Sequence, residues 1–471
     1  MNRFNVFFSV LVGLTFLGGN HSTCLASIVY VSSSMGDDNN CGTTEDKPLR
    51  TISLALSKAD TLLLKSGDVF YEGSLTISKK VLFRYGKGNN PTICGYKRII
   101  EPRWVEVEKN IWRLNLVEDN FDGIVLQESS TSNNICAIHD YVNDLLHGRK
   151  VWHKGEMIGN WDFWQTETLS KAKPEEYDYL FLYLDRDPNL MSLEMSIYDF
   201  ALRANTATID GVNFIGYGAG ISAGTKTIIR NCRVDAIGGR IIPEGDSYVC
   251  YGNGIEYWVS GELDSRDGLV ENCYVTRCYD CGITIQGSRG TIATPRNIYV
   301  RNNLVENCCQ GWEDFLRNNK DVCYDHCYFE NNIVLNSGNT TGFGYPRNRI
   351  KFCHLLGNNI DGPRNMIIKN NVFIGGNYYC SGSYQGEYKS NVWEGNTCYL
   401  EYGNFLFHDY WSTLNAIRLD GKLGKAENND RVERYRRFTG DRTTKFTVRS
   451  KKAIERMARR KRSQYLKNHK Y

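Results

Sequence analysis

Short apolar runs alternate with polar turns through most of this chain, and they lack the spacing of an amphipathic helix. Ile298, Tyr299 and Val300 precede an Asn pair, for example, and Leu304 and Val305 follow it. Runs of three to five β-branched or aromatic residues bounded by Gly or Asn predict β-strands. Three such runs recur in each unit of about 30 residues, which predicts one rung of a parallel β-helix per unit.

Two motifs repeat out of phase with each other. Glycines that open a Gly-Ile-like strand step by 34, 28, 29 and 31 residues, at Gly220, Gly254, Gly282, Gly311 and Gly342. A period in this range is typical of a stacked solenoid. The second motif is a turn Asn, then Asn or Cys, then an apolar residue two positions further on. It predicts one buried column made of Val234, Val275, Val305, Val334 and Phe373.

The residue after each turn Asn is expected to form a second stack. Cys232 and Cys273 hold this position in early units, and Asn303, Asn332, Asn371 and Asn396 hold it in later ones. Asn side chains can hydrogen-bond to one another along such a stack, and a small Cys can be buried in it without a partner.

The first 26 residues have the pattern of a signal peptide. Arg3 precedes an uncharged apolar run over 6–19, and Ala26 offers a small residue at the expected cleavage site. This predicts an exported protein that is periplasmic, secreted or associated with the outer membrane. Lipid attachment at Cys24 is the alternative.

The charge is unevenly distributed. The net charge is +4, but residues 431–471 contain sixteen Lys and Arg against three acids, so the remainder is net negative by nine. This predicts a solvated basic tail that adds no rung and is mobile or loosely docked through Ile454, Met457 and Leu466. We expect an acidic surface as its contact, no nucleic acid as a partner, and a monomeric protein.

Cysteine spacing leaves two readings open. Removal of the signal peptide would leave fifteen cysteines, and these form either disulfides or a ladder of free thiols. Cys278-x-x-Cys281 and Cys323-x-x-x-Cys327 are attributed to neighbouring rungs, so no metal site is predicted. Asp37 and Asp38 are expected to form a solvated turn.

Composition divides the chain into five segments. They are a signal peptide (1–26), a cap with the first rungs (27–100), a Trp- and Tyr-rich antiparallel insertion (101–200), the β-helix (201–420) and the basic tail (421–471).

Between residues 28 and about 400 the chain resembles secreted right-handed parallel β-helix carbohydrate-active proteins of the pectate-lyase-like superfamily, of the type found in bacteroidetes. The resemblance rests on the opening strand, the Gly/Asp loop, the short helix, the rungs and phrases such as Gly159-Asn160-Trp161. It implies an all-β, right-handed parallel β-helix solenoid with an antiparallel insertion. It also implies work on glycans, without specifying the reaction.

Candidate catalytic residues follow the strand glycines. Glu256, Thr284 and Glu313 share one position in successive rungs, which places the two glutamates about 10 Å apart. Asp314, if turned outward by a bulge, would give a closer acid/base pair with Asp280 or with Glu313. Loops at 259–268, 287–297 and 346–352 are expected to wall a groove beside them. Trp258, Tyr257 and Trp312 are the candidate sugar-stacking residues.

A basic group supports a competing mechanism. Arg349, Lys351 and His354 lie near one another in the sequence, with His326 a rung earlier, and they could serve a lyase or bind an acidic substrate. A glycoside hydrolase without a cofactor is the first hypothesis for this exported, polysaccharide-active protein. The alternatives are a polysaccharide lyase or epimerase, with calcium expected only for a lyase, and a non-catalytic glycan-binding or envelope protein.

Overall fold

The computed structural model describes residues 28–98, 103–115, 137–140, 145–147, 149–151, 154–165, 179–244, 247–259, 265–287, 293–316, 322–338, 353–357, 365–382, 391–409, 416–419 and 426–471. The predicted fold is confirmed: the chain winds into a parallel β-helix. Each rung contributes one strand to each of three ten-stranded sheets, here named A, B and C in the order in which a rung visits them.

Sheet A begins at the N-terminus of the solenoid. It contains β1 (Ile28–Val31), β2 (Thr61–Lys65), β5 (Val81–Tyr85), β17 (Thr208–Asp210), β20 (Ile228–Arg230), β25 (Arg266–Glu271), β28 (Arg296–Arg301), β31 (Tyr328–Glu330), β34 (Ile367–Lys369) and β37 (Val392–Glu394).

Sheet B follows sheet A in each rung and extends to the last strand of the chain. It contains β3 (Val69–Phe70), β6 (Thr92–Cys94), β18 (Asn213–Tyr217), β21 (Arg233–Ile237), β26 (Tyr274–Cys278), β29 (Leu304–Glu306), β32 (Ile333–Leu335), β35 (Val372–Ile374), β38 (Thr397–Glu401) and β41 (Lys445–Arg449).

Sheet C completes the rung and has one antiparallel pair, between its last two strands. It contains β4 (Leu75–Ser78), β16 (Phe200–Asn205), β19 (Ala219–Ala223), β24 (Ile255–Val259), β27 (Cys281–Gly287), β30 (Gln310–Leu316), β33 (Cys353–Gly357), β36 (Tyr378–Gly382), β39 (Phe405–Asp409) and β40 (Ile417–Arg418).

Stacked apolar columns fill the interior. The predicted column in sheet B is confirmed: Val234, Val275, Val305, Val334 and Phe373 pair in register and are fully buried. Parallel strands place identical positions directly above one another, so an apolar residue at one position of every rung produces a continuous buried apolar column.

The predicted Asn stack is also present. Asn332 donates from its side chain to Oδ1 of Asn371 at 3.1 Å and to the carbonyl of Val300 at 2.9 Å, and it accepts from Asn303 at 3.0 Å. The preceding turn Asn residues all have φ between 53° and 56°, a left-handed conformation that Asn tolerates better than most residues. They are Asn231, Asn272, Asn302, Asn331 and Asn370.

The N-terminal cap uses the short helix α1 (Ile52–Lys58). Asp38 accepts hydrogen bonds from the backbone of Arg50 and Thr51 and from the Thr51 hydroxyl. Burial raises the pKa of Asp38, but these hydrogen bonds outweigh it and lower the pKa overall. Asp38 therefore fastens the turn to the start of the helix.

The predicted antiparallel insertion is confirmed where the structure describes it. Its strands form two antiparallel sheets around a separate small core that includes Trp104, Phe163 and Leu182. Their one parallel pair joins the strands Arg149–Lys150 and Asp162–Gln165. The strands are β7 (Tyr96–Arg98), β8 (Val105–Glu108), β9 (Ile111–Asn115), β10 (Ala137–Asp140), β11 (Leu145–His147), β12 (Arg149–Lys150), β13 (Asp162–Gln165), β14 (Tyr179–Tyr183) and β15 (Leu193–Ser196), with single 3-10 turns at Lys154–Glu156 and Pro188–Leu190.

The predicted mobile tail is wrong. Helix α2 (Ala426–Thr439) buries Val432 and Tyr435 against the solenoid core, and β41 pairs in parallel with β38, so the tail adds a strand to sheet B. Helix α3 (Lys451–Asn468) then packs on the outer face of sheet B. The alternative of a helix docked through Ile454, Met457 and Leu466 is closer to the structure, because all three pack in that contact.

Thirteen cysteines with described side chains are free thiols, and most of them are buried. This favours the ladder reading over disulfides. Within the described segments, none of the helices combines the length and apolar character needed to cross a membrane. The predicted signal peptide, residues 1–26, lies outside the described residues.

Candidate active site

The outer face of sheet C carries a column of side chains, polar except for Leu356, at the position after the core residue of each strand. The register is continuous from rung to rung and runs through Ser222, Glu256, Thr284, Glu313, Leu356, Ser381 and His408. Glu256 and Glu313 are therefore two strands apart, about 10 Å along the solenoid axis. Their exposed fractions are only 6% and 7%.

Glu256 is held by three donors that converge on one oxygen. Its Oε2 accepts hydrogen bonds from the Tyr251 hydroxyl, from Asn253 Nδ2 at 3.1 Å and from Gln286 Nε2 at 2.8 Å. Tyr251 ends a hairpin formed by β22 (Arg240–Glu244) and β23 (Ser247–Tyr251), which lies between sheets B and C in the chain. These three hydrogen bonds fix the orientation of the carboxylate through Oε2.

Glu313 lies beside buried thiols. Burial raises the pKa of Cys281, and the charges of Glu313 and Asp280 raise it further, so both carboxylates lie within electrostatic range of this sulfur. Cys353, in the next strand, also has its pKa raised, first by burial and in part by Glu313. Cys281 and Cys353 are thus neutral thiols within electrostatic range of Glu313, whereas the pairing of Asp280 with the candidate acids stays a prediction.

Thr284 separates the two glutamates. It occupies the intermediate strand, and its hydroxyl donates to the backbone carbonyl of Glu313 at 2.9 Å. With its hydroxyl bound to the backbone, Thr284 places no charged group between the carboxylates, and Gln286 of the same strand donates its hydrogen bond to Glu256.

An amide side chain stands at the same distance before each glutamate. Asn253 stands three residues before Glu256, and Gln310 stands three residues before Glu313. The Asn253 amide is satisfied, because it donates to Glu256 and accepts from the backbone N–H of Cys281. Gln310 is completely buried, yet neither atom of its amide has a hydrogen-bond partner within the described part of the chain. Sequence reasoning missed Tyr251, Asn253, Gln286 and Gln310, although the Asn/Gln-Gly-x-Glu spacing was visible.

Only one of the three predicted sugar-stacking residues has an exposed ring. Trp258 is 38% exposed and lies on the same side of β24 as Glu256. The prediction for Tyr257 and Trp312 is wrong, because both rings are fully buried in the solenoid core. Trp312 occupies the core position of Ile283 and stacks on Phe329 of sheet A with ring centroids 4.5 Å apart.

The predicted outward position of Asp314 is also wrong. Asp314 pairs in unbroken register with Ile285, a core residue, and so lies on the inner side of the strand, opposite Glu313. Its Oδ2 accepts from Asn391 at 3.3 Å, and the residue is 2% exposed. Asp314 therefore cannot pair with Asp280 or Glu313 on the outer face.

The structure does not bring the two described members of the predicted basic cluster, His354 and His326, together. His354 is fully buried and lies between the Ser337 hydroxyl and the Gly375 carbonyl, and burial lowers its pKa to about 4. A neutral, buried ring cannot bind an acidic sugar. His326 lies instead at the start of β31 in sheet A, next to Asp325, with its side chain 69% exposed. Arg349 and Lys351 lie outside the described residues.

The fifth glycine of the repeat, Gly342, was assigned to the wrong strand position. The register that passes through Gly311 and Trp312 continues to His354 and Leu355, not to Gly342 and Phe343. Residues 346–352 therefore precede β33 and join sheet B to sheet C, whereas 259–268 and 287–297 join sheet C to sheet A. The main parts of all three loops lie outside the described residues, and the groove that they wall stays a prediction.

Metal ligands are not grouped in the described segments: no set of three or more His, Cys, Asp or Glu side chains is placed there to hold an ion.

An aromatic group lies on the outer face of sheet C, near the C-terminal end of that sheet. The His408 ring lies 5.2 Å from that of Tyr378 and 5.9 Å from that of Phe405.

Comparisons with known proteins give distant structural likenesses. No protein-family model matches the chain, and no curated protein matches its sequence. It is similar to a structure of XylC with xylose at 12% identity, covering 89% of this chain and 82% of that one, with a TM-score of 0.46. It is also similar to a glycoside hydrolase (11% identity, 79% and 96% covered, TM-score 0.38). An alginate lyase from a Paenibacillus species is similar too (10% identity, 76% and 89% covered, TM-score 0.36). Likenesses this distant leave the reaction and the substrate open.

Proposed function

We propose that this protein is an exported glycoside hydrolase that cleaves a polysaccharide with inversion at the anomeric carbon. One observation carries the proposal: Glu256 and Glu313 share one outer column of sheet C, two strands apart, with a short residue between them. Carboxylates that act on opposite sides of a sugar, with a water molecule at one of them, need a separation of about 6.5–9.5 Å. A strand spacing of about 10 Å allows this when the side chains lean towards each other.

We give each glutamate a role on the basis of its surroundings. Glu256, oriented by its three donors, takes a proton from water as that water attacks the anomeric carbon. Glu313 donates its proton to the leaving glycosidic oxygen, so one bond forms, one breaks and the protons balance. Trp258 offers an exposed ring on which a sugar can stack.

The lyase or epimerase alternative needs a base near C5 of a uronic acid and a positive charge on its carboxylate. Of its predicted residues, His354 is buried and His326 belongs to sheet A. No described contact favours this alternative, and it becomes one outcome of the activity test. A non-catalytic glycan-binding protein is the other.

The test is a screen of the purified protein against plant and host polysaccharides. New reducing ends and the ultraviolet absorbance of unsaturated sugars are measured in parallel. Hydrolysis gives reducing ends alone, and a lyase gives both signals. Binding with neither signal would contradict the hydrolase and leave an epimerase or a non-catalytic glycan-binding protein.

Variants then test the site itself. Glu313→Gln and Glu256→Gln are expected to lower kcat by about 10²–10⁴-fold, the usual contribution of a positioned acid or base. Glu330→Gln, a half-buried glutamate on sheet A, is the matched control and should keep full activity. Unchanged kcat in both site variants, with melting temperatures equal to the parent, would remove these glutamates from the chemistry.

A further inference from the structure

The C-terminal helix α3 has a fixed orientation on the solenoid. It crosses the outer face of sheet B, where Ile454, Ala458 and Tyr465 are buried against a strip that includes Leu304 and Ile374. At its far end the Tyr465 hydroxyl donates to the carbonyls of Cys273 and Asn302, at 3.1 and 3.0 Å. These contacts prevent the helix from rotating, so the direction in which each remaining side chain points is determined.

One cation of the helix serves this docking. Arg462 donates to Glu306, whose side chain is completely buried, with Nε at 2.9 Å from Oε1. The pairing supplies the positive charge for a buried carboxylate that otherwise accepts a hydrogen bond from the Tyr274 hydroxyl at 3.3 Å. Arg462 is thus part of the interface with sheet B.

Five other cations point the opposite way. At about 100° of rotation per residue they fall within an arc of roughly 100°, centred opposite the buried face, and they extend about 22 Å along the axis. All five are exposed, and none has an ion-pair partner among the described residues. This group, called the basic stripe below, consists of Lys452, Arg456, Arg459, Arg460 and Lys467.

Contacts within the stripe do not stabilise the helix that carries it. Like charges three or four residues apart, as at Lys452, Arg456 and Arg459, repel one another. Attraction to the net negative solenoid would be strongest for cations that face it, as Arg462 does, and the stripe faces solvent. Neighbouring charges lie within one Debye length, about 8–10 Å at physiological salt, so a polymer would experience them together.

We propose that the basic stripe binds a linear anionic polysaccharide, a chain with carboxylate or sulfate groups. The charges are complementary, and the docked helix presents them as a rigid row that loses little freedom on binding. A membrane surface fits less well, because amphipathic helices insert an apolar face, and the apolar face of α3 is already packed on sheet B. The choice of a glycan over another polyanion rests on the proposed function.

The test measures binding of the full chain to immobilised alginate and heparin, with duplex DNA and phosphatidylserine vesicles as comparison arms. The stripe variant replaces all five cations with Gln. Its control removes the same charge from exposed cations elsewhere, by Gln substitution of Lys47, Arg50, Lys87, Lys109 and Arg186.

The stripe variant is expected to bind alginate or heparin at least about tenfold more weakly at low salt, and its Kd should depend less steeply on salt than that of the parent. The control should bind like the parent. Both variants should keep the parent's melting temperature, because no buried side chain changes. Equal binding by stripe variant and parent would overturn the proposal.

Binding to DNA or vesicles but to neither glycan would also overturn it, because the stripe would then belong to another polyanion. Hydrolytic activity is measured separately on a short neutral oligosaccharide. Loss of glycan binding with unchanged hydrolysis supports the stripe as a second site. Normal glycan binding in a protein without hydrolysis would contradict the proposed reaction and leave the stripe intact.

Discussion

Arg277 donates two hydrogen bonds to Asp235 on the neighbouring strand of sheet B, from Nε at 2.6 Å and from Nη2 at 2.7 Å. Asp235 is completely buried, and Arg233 approaches it from its own strand. Burial raises the pKa of Asp235, but the hydrogen bonds and charges of the two arginines outweigh it and lower the pKa overall. A lowered pKa in the folded state means that the pair stabilises the fold above the ordinary Asp range and loses this contribution as pH falls through the folded value.

Asp235→Asn should therefore destabilise the protein in a pH-dependent way. Near pH 7 the loss should be about 3–5 kcal/mol, because one partner of a buried ion pair is removed. Below about pH 4 the difference from the parent should shrink as Asp235 itself becomes protonated. Urea unfolding at both pH values measures this. Asp60→Asn, at an 81% exposed surface pair with Lys80, should change stability by less than about 1 kcal/mol.

Val305→Asp should be among the most damaging single changes. Val305 stands in the middle of the sheet B column and has no exposed surface, so the new carboxylate would be unpaired in a dry interior. The expected loss is several kcal/mol in the free energy of unfolding. Val392→Asp, at a strand position that is 49% exposed, is the matched control and should melt close to the parent. Equal melting of the two variants would contradict the buried column.

Gln310→Met should raise stability. The substitution keeps the length of the side chain and removes an amide that is buried without a partner among the described residues, a loss of about 1–3 kcal/mol in the parent. Asn253→Leu should have the opposite effect, because that amide is satisfied. The measurement is thermal and urea unfolding of both variants. A destabilised Gln310→Met protein would show that the amide is satisfied in the folded state, for example by water.

Truncation after Asp441 should lower the melting temperature sharply. It removes β41 and α3 and exposes the apolar strip of Leu304, Leu335 and Ile374. Ile454→Asp tests the same contact in a full-length chain, and Gln464→Asp, on the exposed side of the helix, is its control. Melting at the parent temperature after truncation would favour the loosely attached tail that the charge pattern predicted.

Repetition in the sequence was sufficient to predict the columns that share one position. Val234 and Val275 follow their turns by the same offset, and the backbone preserves that offset as vertical stacking. The same argument placed Glu256 and Glu313 in one column.

Orientation within a strand was harder to predict. Trp312 and Asp314 flank Glu313, and strand alternation places both on the inner side. The aromatic ring beside a candidate glutamate had been interpreted as a binding surface, although an indole can replace Ile in a core column when a neighbouring ring packs against it. In β33, His354 occupies the position that Gly311 has in β30. Because this position is not a glycine, the search for a repeated glycine selected Gly342 instead.

The prediction of a mobile tail was wrong because the many charged residues obscured the helical spacing of its apolar residues. Ile454, Ala458 and Tyr465 lie on one side of a helix in a segment with many cations. The hydroxyls of Tyr465 and Tyr471 also supply polar anchors to backbone carbonyls, which a count of apolar residues does not include.

Because α3 packs back across sheet B, the fold can be completed only after α3 has been synthesised. Tyr471 donates its hydroxyl to the carbonyl of Asn272, 199 residues earlier in the chain. The strip around Leu304 leaves the ribosome long before the helix that will cover it. Until α3 has been synthesised and has docked, this apolar strip is exposed to water, and a chain that stops before α3 leaves it open to other unfinished chains and to chaperones.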